Sequence, residues 1–134
     1  MMNINTDEKI DSIPKLRAKL DNLFSQGHSY DDNYLNIKCV LQSVELSNEE
    51  LSKYTFFDFE KPYTRNLAAT DEKQYTLLVL CWSPGKESKI HNHPCDGCFI
   101  KTLSGCIREI QYTTDETTDE IRKSNVRFYN EGQV

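Results

Sequence analysis

The stretch GKESKIHNHPCDGCFIKTLSG, residues 85–105, contains two histidines separated by one residue, two cysteines soon after them, and a glycine at each end. In an extended segment alternate side chains share a face, so His91 and His93 present two imidazoles toward one point, as a metal ion needs. A polar, solvent-exposed end of a strand would have the same pattern. The pair therefore predicts a candidate metal site, with an exposed strand end as the alternative.

The segment HNHPCDGC within this stretch has two further interpretations. Two histidines and two cysteines could form a tetrahedral zinc site, or Cys95 and Cys98 could form a redox pair. Zinc is disfavoured because four ligands within eight residues would crowd a single loop. A redox pair is disfavoured because such motifs lie at the start of a helix, whereas a strand pattern follows here.

Runs rich in β-branched and aromatic residues lie on both sides of this stretch, separated by Pro, Gly, Ser and Asp. This composition predicts strands. Within these runs, LSGC predicts a tight hairpin turn in which Gly105 supplies a positive φ angle, and TTDETTD at 113–119 predicts an acidic, exposed loop. The predicted strands are QYTLLVLCW (74–82), CFIKTL (98–103), CIREIQY (106–112) and VRFY (126–129).

The first 60 residues follow helical spacing instead. One amphipathic helix is predicted from Ser12 to Phe24, and a weaker pattern runs from Tyr34 to Val44. A third helix is predicted to begin at Ser47, where Glu50 would complete a capping box. Helices followed by strands predict an α+β fold, mainly β, in which the helices cover one face or end of an antiparallel sheet or barrel.

The length and net charge of the chain limit the number of domains and the classes of partner that it is expected to have. A chain of 134 residues predicts a single domain over 1–134, with a helical cap in 1–60 and barrel strands in 61–134. The net charge of −5 disfavours nucleic acid as a partner, and no apolar run is long enough to span a membrane. The polar N-terminus and the five cysteines without framework spacing predict a cytoplasmic protein with free thiols. A small molecule is the expected partner.

The spacing of Gly85, His91, His93 and Gly105 is similar to the first motif of the cupin superfamily, with Cys98 where many cupins have a glutamate ligand. That cysteine, together with PYTRNL at 62–67, resembles one family in particular, the thiol dioxygenases of the cysteine dioxygenase type. The likeness extends over roughly residues 47–130.

The resemblance implies a cupin-type antiparallel β-barrel and a non-haem Fe(2+) enzyme that adds both atoms of O2 to the sulfur of L-cysteine, giving cysteine sulfinic acid. His91 and His93 match two metal ligands of the family. Arg65 matches the residue that holds the substrate carboxylate, a task that suits the planar guanidinium. Tyr63 matches a catalytic phenol that helps to hold the substrate. Outside the resemblance, Arg65 would be interpreted as part of a surface ion pair.

The resemblance also implies a role for Cys98, which matches a catalytic cysteine that forms a thioether crosslink with a late tyrosine in animal members. The family's pattern continues beyond the position of Val134 with strands that carry this tyrosine and the third metal-binding histidine. We therefore expect a truncated chain, an incomplete barrel and little activity, with a non-catalytic cupin-like binding module as the alternative. The remaining histidine, His28, is predicted to be a polar loop residue. A complete protein is expected to be a monomer.

Overall fold

The computed structural model describes residues 8–93 and 96–134 and divides the chain into two compact units, Met1–Lys89 and Ile90–Val134. The predicted α+β class, mainly β, is confirmed, and the described residues form two two-stranded antiparallel sheets without closing a barrel. This arrangement is consistent with an incomplete cupin-type fold. That the whole chain forms a single domain stays a prediction. The elements are α1 (Ile13–Phe24), α2 (Tyr30–Gln42), α3 (Asn48–Ser52), β1 (Tyr63–Thr70), β2 (Thr76–Trp82), β3 (Cys106–Thr114) and β4 (Ile121–Asn130).

Helix α1 confirms its prediction from the sequence. Ser12 is the N-cap, and its hydroxyl accepts a hydrogen bond from the Lys15 N–H at 3.3 Å. Pro14 lies in the first turn, where a missing N–H costs no helical hydrogen bond. The apolar stripe is buried at Ile13, Leu16, Leu20 and Leu23. The sequence therefore determines both where this helix begins and which face packs into the core.

Helix α2 begins at Tyr30, four residues before the predicted apolar pattern at Tyr34. The reason is a local cap: the Ser29 hydroxyl accepts from the Asp32 N–H at 3.2 Å and donates to the Asp32 carboxylate at 2.8 Å. This cap allows the helix to start among polar residues that show no apolar periodicity.

Only half of the capping box predicted for α3 is present. The Ser47 hydroxyl accepts from the Glu50 N–H at 3.1 Å, as expected. The Glu50 carboxylate, however, accepts from the backbone N–H of Ile13 at 3.0 Å and from Lys53 Nζ at 2.7 Å. Glu50 therefore caps the first turn of α1, across 37 positions of sequence, and ties α3 to α1.

Strands β1 and β2 form an antiparallel hairpin with a β-bulge between Leu67 and Ala69. One face of this hairpin packs into the first unit, where Ala69, Val79 and Cys81 are buried. The opposite face contains Tyr63, Arg65 and Leu67 of β1, which lie opposite Trp82, Leu80 and Leu78 of β2. Alternation along each strand thus separates the core side chains from those of the candidate site.

The second unit consists mainly of β3 and β4, which pair antiparallel with a bulge between Gln111 and Tyr112. The predicted acidic loop is present between Thr114 and Ile121, and β4 is longer than the predicted strand VRFY because it includes the polar run from Ile121. All buried hydrophobic side chains among the described residues lie between Ile10 and Cys81, in the first unit. The described part of the second unit therefore has no buried apolar core of its own.

The strand predicted at 98–103 is wrong, because the structure assigns no regular strand to these residues. Thr102 makes ladder-like backbone bonds, donating to the Gln133 carbonyl at 3.0 Å and accepting from the Gly132 N–H at 2.7 Å. The predicted hairpin LSGC therefore does not join two strands, since β3 pairs with β4. Gly105 nevertheless has the predicted positive φ, +78°, at the bend that precedes β3.

Candidate active site

Tyr63 and Arg65 lie on the same face of β1, because they are two positions apart in an extended strand. Pro62 precedes the strand and disfavours a helical conformation for Lys61 before it. Across the hairpin, Tyr63 lies opposite Trp82 and Arg65 lies opposite Leu80. The strand therefore presents a phenol and a guanidinium side by side, on the face that is not packed against the core.

Arg65 is a solvent-exposed residue. Arg65 forms no ion pair with a described residue. The alternative interpretation, a surface ion pair, is thus not observed within the described part of the chain. An arginine whose donors are not engaged by a neighbouring carboxylate is free to form two parallel hydrogen bonds with a carboxylate from solution.

The ring of Tyr63 stacks on the indole of Trp82, with ring centres 4.5 Å apart and an interplanar angle of 30°. The backbone beside this pair is held by Ser83, whose N–H donates to the Pro62 carbonyl at 2.9 Å and whose hydroxyl donates to the Lys61 carbonyl at 2.7 Å. These contacts fix the open end of the hairpin, where a strand would otherwise fray.

The buried face of the hairpin has its own polar anchor. The Asn66 amide donates to the Val79 carbonyl and to Thr64 Oγ1, both at 3.1 Å, and lies 3.5 Å from the Cys81 sulfur. Asn66 is the neighbour of Arg65 in sequence and points to the opposite face. The position of Arg65 is therefore fixed by hydrogen bonds that cross the hairpin from behind.

His91 and His93 lie in a segment of the second unit without regular secondary structure. Their ring centres are 5.3 Å apart, in an edge-to-face arrangement. When two imidazoles bind the same metal ion, each places a nitrogen about 2 Å from that ion. If the nitrogen–metal–nitrogen angle lies between a right angle and the tetrahedral angle, the two ring centres are roughly 4.5–5.5 Å apart. The separation fits two ligands of one metal ion, and imidazole suits divalent iron.

Cys98 is exposed and lies in the second unit with the two histidines. Within residues 8–93 and 96–134, no group of three or more His, Cys, Asp or Glu side chains is close enough to hold a metal ion. His91, His93 and Cys98 are therefore not close enough together to be three of the four ligands of a zinc site. Cys95, the other half of the possible redox pair, lies outside the described residues. His28 is exposed and follows α1, in agreement with its prediction as a loop residue.

The comparisons with known proteins identify a family. The family model described as "Cysteine dioxygenase type I" matches residues 2–134. The chain belongs to the cysteine dioxygenase type I family. It is 30% identical over 122 residues to "Cysteine dioxygenase type 1" of Homo sapiens, an alignment that covers 90% of this chain and 60% of that protein.

Two further relatives have the same name. The protein of Rattus norvegicus is 31% identical over 122 residues, covering 90% of this chain and 60% of that protein. The protein of Bos taurus is 32% identical over 102 residues, covering 75% of this chain and 50% of that protein. The chain thus spans about half to 60% of the length of these relatives. Among the helices that the structure describes, none is long and apolar enough to cross a membrane.

No role for Trp82 is predicted from the sequence, although its ring stacks on that of the candidate site residue Tyr63. Trp82 is the only tryptophan of the chain and closes the predicted strand QYTLLVLCW. Its partner could not be read from that strand alone, because the pairing depends on the register of the hairpin. The even alternation that places Tyr63 and Arg65 on one face was the available signal.

Proposed function

We propose that the chain contributes to a cysteine dioxygenase site in which L-cysteine and O2 give cysteine sulfinic acid at a ferrous ion. The observation that carries the proposal is the pair of imidazoles of His91 and His93, with ring centres 5.3 Å apart. Both histidines would hold the metal as neutral ligands. When bound, iron supplies the electronic chemistry that O2 requires. The chain's other histidine, His28, does not match the third ligand in the family's pattern.

Arg65 would hold the carboxylate of the substrate. Its exposed guanidinium, outside all the ion pairs formed by described residues, supports this role. Tyr63, on the same face of β1, would contribute its phenol as a hydrogen-bonding group for the same small substrate. Two parallel hydrogen bonds between the guanidinium and the substrate carboxylate would fix the orientation of the substrate. A fixed orientation lowers the entropic cost of aligning the reacting atoms.

Cys98 would act as the family's catalytic cysteine, and its exposed thiol is compatible with a thioether crosslink. A cytoplasmic location belongs to the same proposal, because a reducing compartment keeps thiols in the free form. We expect a monomer for a complete protein, with no nucleic-acid or membrane partner.

The metal assignment is tested with His91→Ala and His93→Ala in the full 134-residue chain, with His28→Ala as the matched control. The apparent affinity for Fe(2+) is measured anaerobically by calorimetry, together with the iron content after dialysis. Each ligand variant should bind iron at least about tenfold more weakly, whereas the control should bind as the parent does. Equal iron binding by the parent and either ligand variant would contradict the assignment.

The substrate assignment is tested with Arg65→Ala and with Arg108→Ala, an exposed arginine of β3, as the control. Removing Arg65 should weaken L-cysteine binding by about 2 kcal/mol, the lower end of the range for truncated charge pairs, because the guanidinium is exposed. A cysteine analogue without the carboxylate should bind the parent and Arg65→Ala alike. If Arg65→Ala bound L-cysteine as tightly as Arg108→Ala did, Arg65 would have no part in the site.

A non-catalytic cupin-like binding module is the second candidate. The observation that favours it is that no cluster of three metal-binding side chains exists among the described residues. Oxygen uptake with L-cysteine separates the two functions. Formation of cysteine sulfinic acid supports the enzyme, and binding of L-cysteine without oxygen uptake supports the module.

A further inference from the structure

Trp82 is the last residue of β2 and lies directly opposite Tyr63, the first residue of β1. Their rings are stacked at a centre-to-centre distance of 4.5 Å, and both side chains are partly buried. The next pair on the same face, Arg65 opposite Leu80, has no second aromatic ring. Within the pairs of this face of the hairpin, the ring that Tyr63 stacks on is therefore the indole of Trp82.

Because the stack lies at the open end of the hairpin, it restricts the side chain of Tyr63 as well as supporting the pairing of the two strands. A tyrosine at a strand end can exchange between staggered side-chain rotamers unless a neighbour restricts it. Ser83 holds the backbone on both sides of Pro62 through its N–H and its hydroxyl. These bonds fix the chain but leave the phenol free to rotate, whereas contact with the indole restricts the ring itself.

We propose that Trp82 is a positioning residue for substrate binding, which holds the phenol of Tyr63 in the orientation that contacts the substrate beside Arg65. The inference rests on the proposed function, in which Tyr63 and Arg65 bind a small amino acid through its polar groups. A phenol that is already oriented loses less rotamer freedom when the substrate binds, and this raises affinity without any contact between Trp82 and the substrate. Trp82 would act entirely through Tyr63.

The experiment compares Trp82→Leu with Trp82→Phe in the full chain, and uses Leu67→Ala as the matched control. Leu67 lies on the same face and the same pair of strands, opposite Leu78, but away from Tyr63. Dissociation constants for L-cysteine are measured by anaerobic calorimetry on the metal-loaded protein. Trp82→Leu should bind L-cysteine about three- to tenfold more weakly, while Trp82→Phe and Leu67→Ala stay within about twofold of the parent.

A spectroscopic measurement tests the stack itself, because Trp82 is the only tryptophan of the chain. Replacing Tyr63 by leucine should change the emission maximum of Trp82 and increase its quenching by iodide, since one face of the indole becomes open. Replacing Tyr112, an exposed tyrosine of β3, by leucine should leave both properties unchanged.

Three results would overturn the positioning role: equal affinities of Trp82→Leu and Leu67→Ala for L-cysteine, a failure of phenylalanine to restore affinity, or unchanged Trp82 emission in Tyr63→Leu. Failure of the underlying function has a different signature. In that case the parent itself would not bind L-cysteine, or Arg65→Ala would bind as the parent does, whatever the fluorescence of Trp82 shows.

Discussion

Replacing Tyr75 by phenylalanine should loosen the attachment of the β1–β2 hairpin to α1. The Tyr75 hydroxyl donates to Asp21 Oδ1 at 2.6 Å, and its ring stacks on Phe24 with ring centres 5.3 Å apart. Phenylalanine keeps the ring and removes only the hydroxyl. A hydrogen bond to a charged group contributes about 1.5–3 kcal/mol. Because the Asp21 side chain is 47% exposed, solvent screening reduces the expected loss of unfolding free energy to about 1 kcal/mol.

The same contact predicts that the difference in stability between the parent and Tyr75→Phe changes at alkaline pH. Burial, together with the hydrogen bond to Asp21, raises the pKa of Tyr75 from 10.0 to about 12. The folded state therefore favours the neutral phenol, so this contribution is complete below about pH 10 and is lost as pH rises toward 12. This shift of the Tyr75 pKa corresponds to at most about 2.7 kcal/mol of unfolding free energy. Because the Asp21 carboxylate is partly exposed, solvent screening reduces the expected contribution to about 1 kcal/mol.

Urea unfolding followed by the emission of Trp82 measures both effects, because Trp82 lies in β2 of the same unit. Tyr75→Phe should be less stable than the parent at pH 7, and the difference should shrink between about pH 10 and 12. Tyr112→Phe, in the second unit, is the control for a lost phenol. Equal stability of the parent and Tyr75→Phe at pH 7, or a constant difference up to pH 12, would refute the reasoning.

Two further predictions concern the contact between α3 and α1, and the resistance of each unit to proteolysis. The hydrogen bond from Lys53, followed by that from the Ile13 N–H, lowers the pKa of the Glu50 carboxyl, so its stabilisation is present above about pH 4.5 and is lost as pH falls. Glu50→Gln should therefore have a lower urea midpoint at pH 7 and a smaller loss of stability between pH 5 and 3; parallel pH profiles would contradict this. Limited trypsin digestion should cut at Arg122, Lys123 or Arg127 before it cuts within α1, because no apolar side chain of the described second unit is buried; equal resistance of the two regions would contradict that expectation.

Much of the first unit could be predicted from sequence because its signals are local. The Ser12 cap, Pro14 and the apolar stripe lie within one helix, and each acts on residues three or four positions away. The shared face of Tyr63 and Arg65 follows from the two-residue period of any strand. In the second unit, the closeness of the His91 and His93 rings is likewise local, because only one residue separates the two positions.

The features that sequence analysis missed depend on distant partners. Glu50 has the spacing of a local capping box, yet its carboxylate binds the N–H of Ile13, which no local pattern reveals. The run at 98–103 has the composition of a strand, but a strand also needs a regular backbone ladder. The structure assigns no regular strand to this run, and β3, which follows it, pairs with β4. Composition favours a conformation, and pairing decides whether it forms.

The candidate residues of the two units are each held in a different way within their own unit. Tyr63 and Arg65 belong to a hairpin that is fixed from behind by Asn66 and by buried side chains, so their positions do not depend on a ligand. His91 and His93 lie in a segment without regular secondary structure, where the proposed shared ion would add a constraint on the two rings. A ligand that binds only the ordered arrangement stabilises that arrangement, so the proposed metal binding would be thermodynamically linked to the ordering of this segment. The arrangement of Tyr63 and Arg65 needs no such linkage, because the core of the first unit has already ordered their strand.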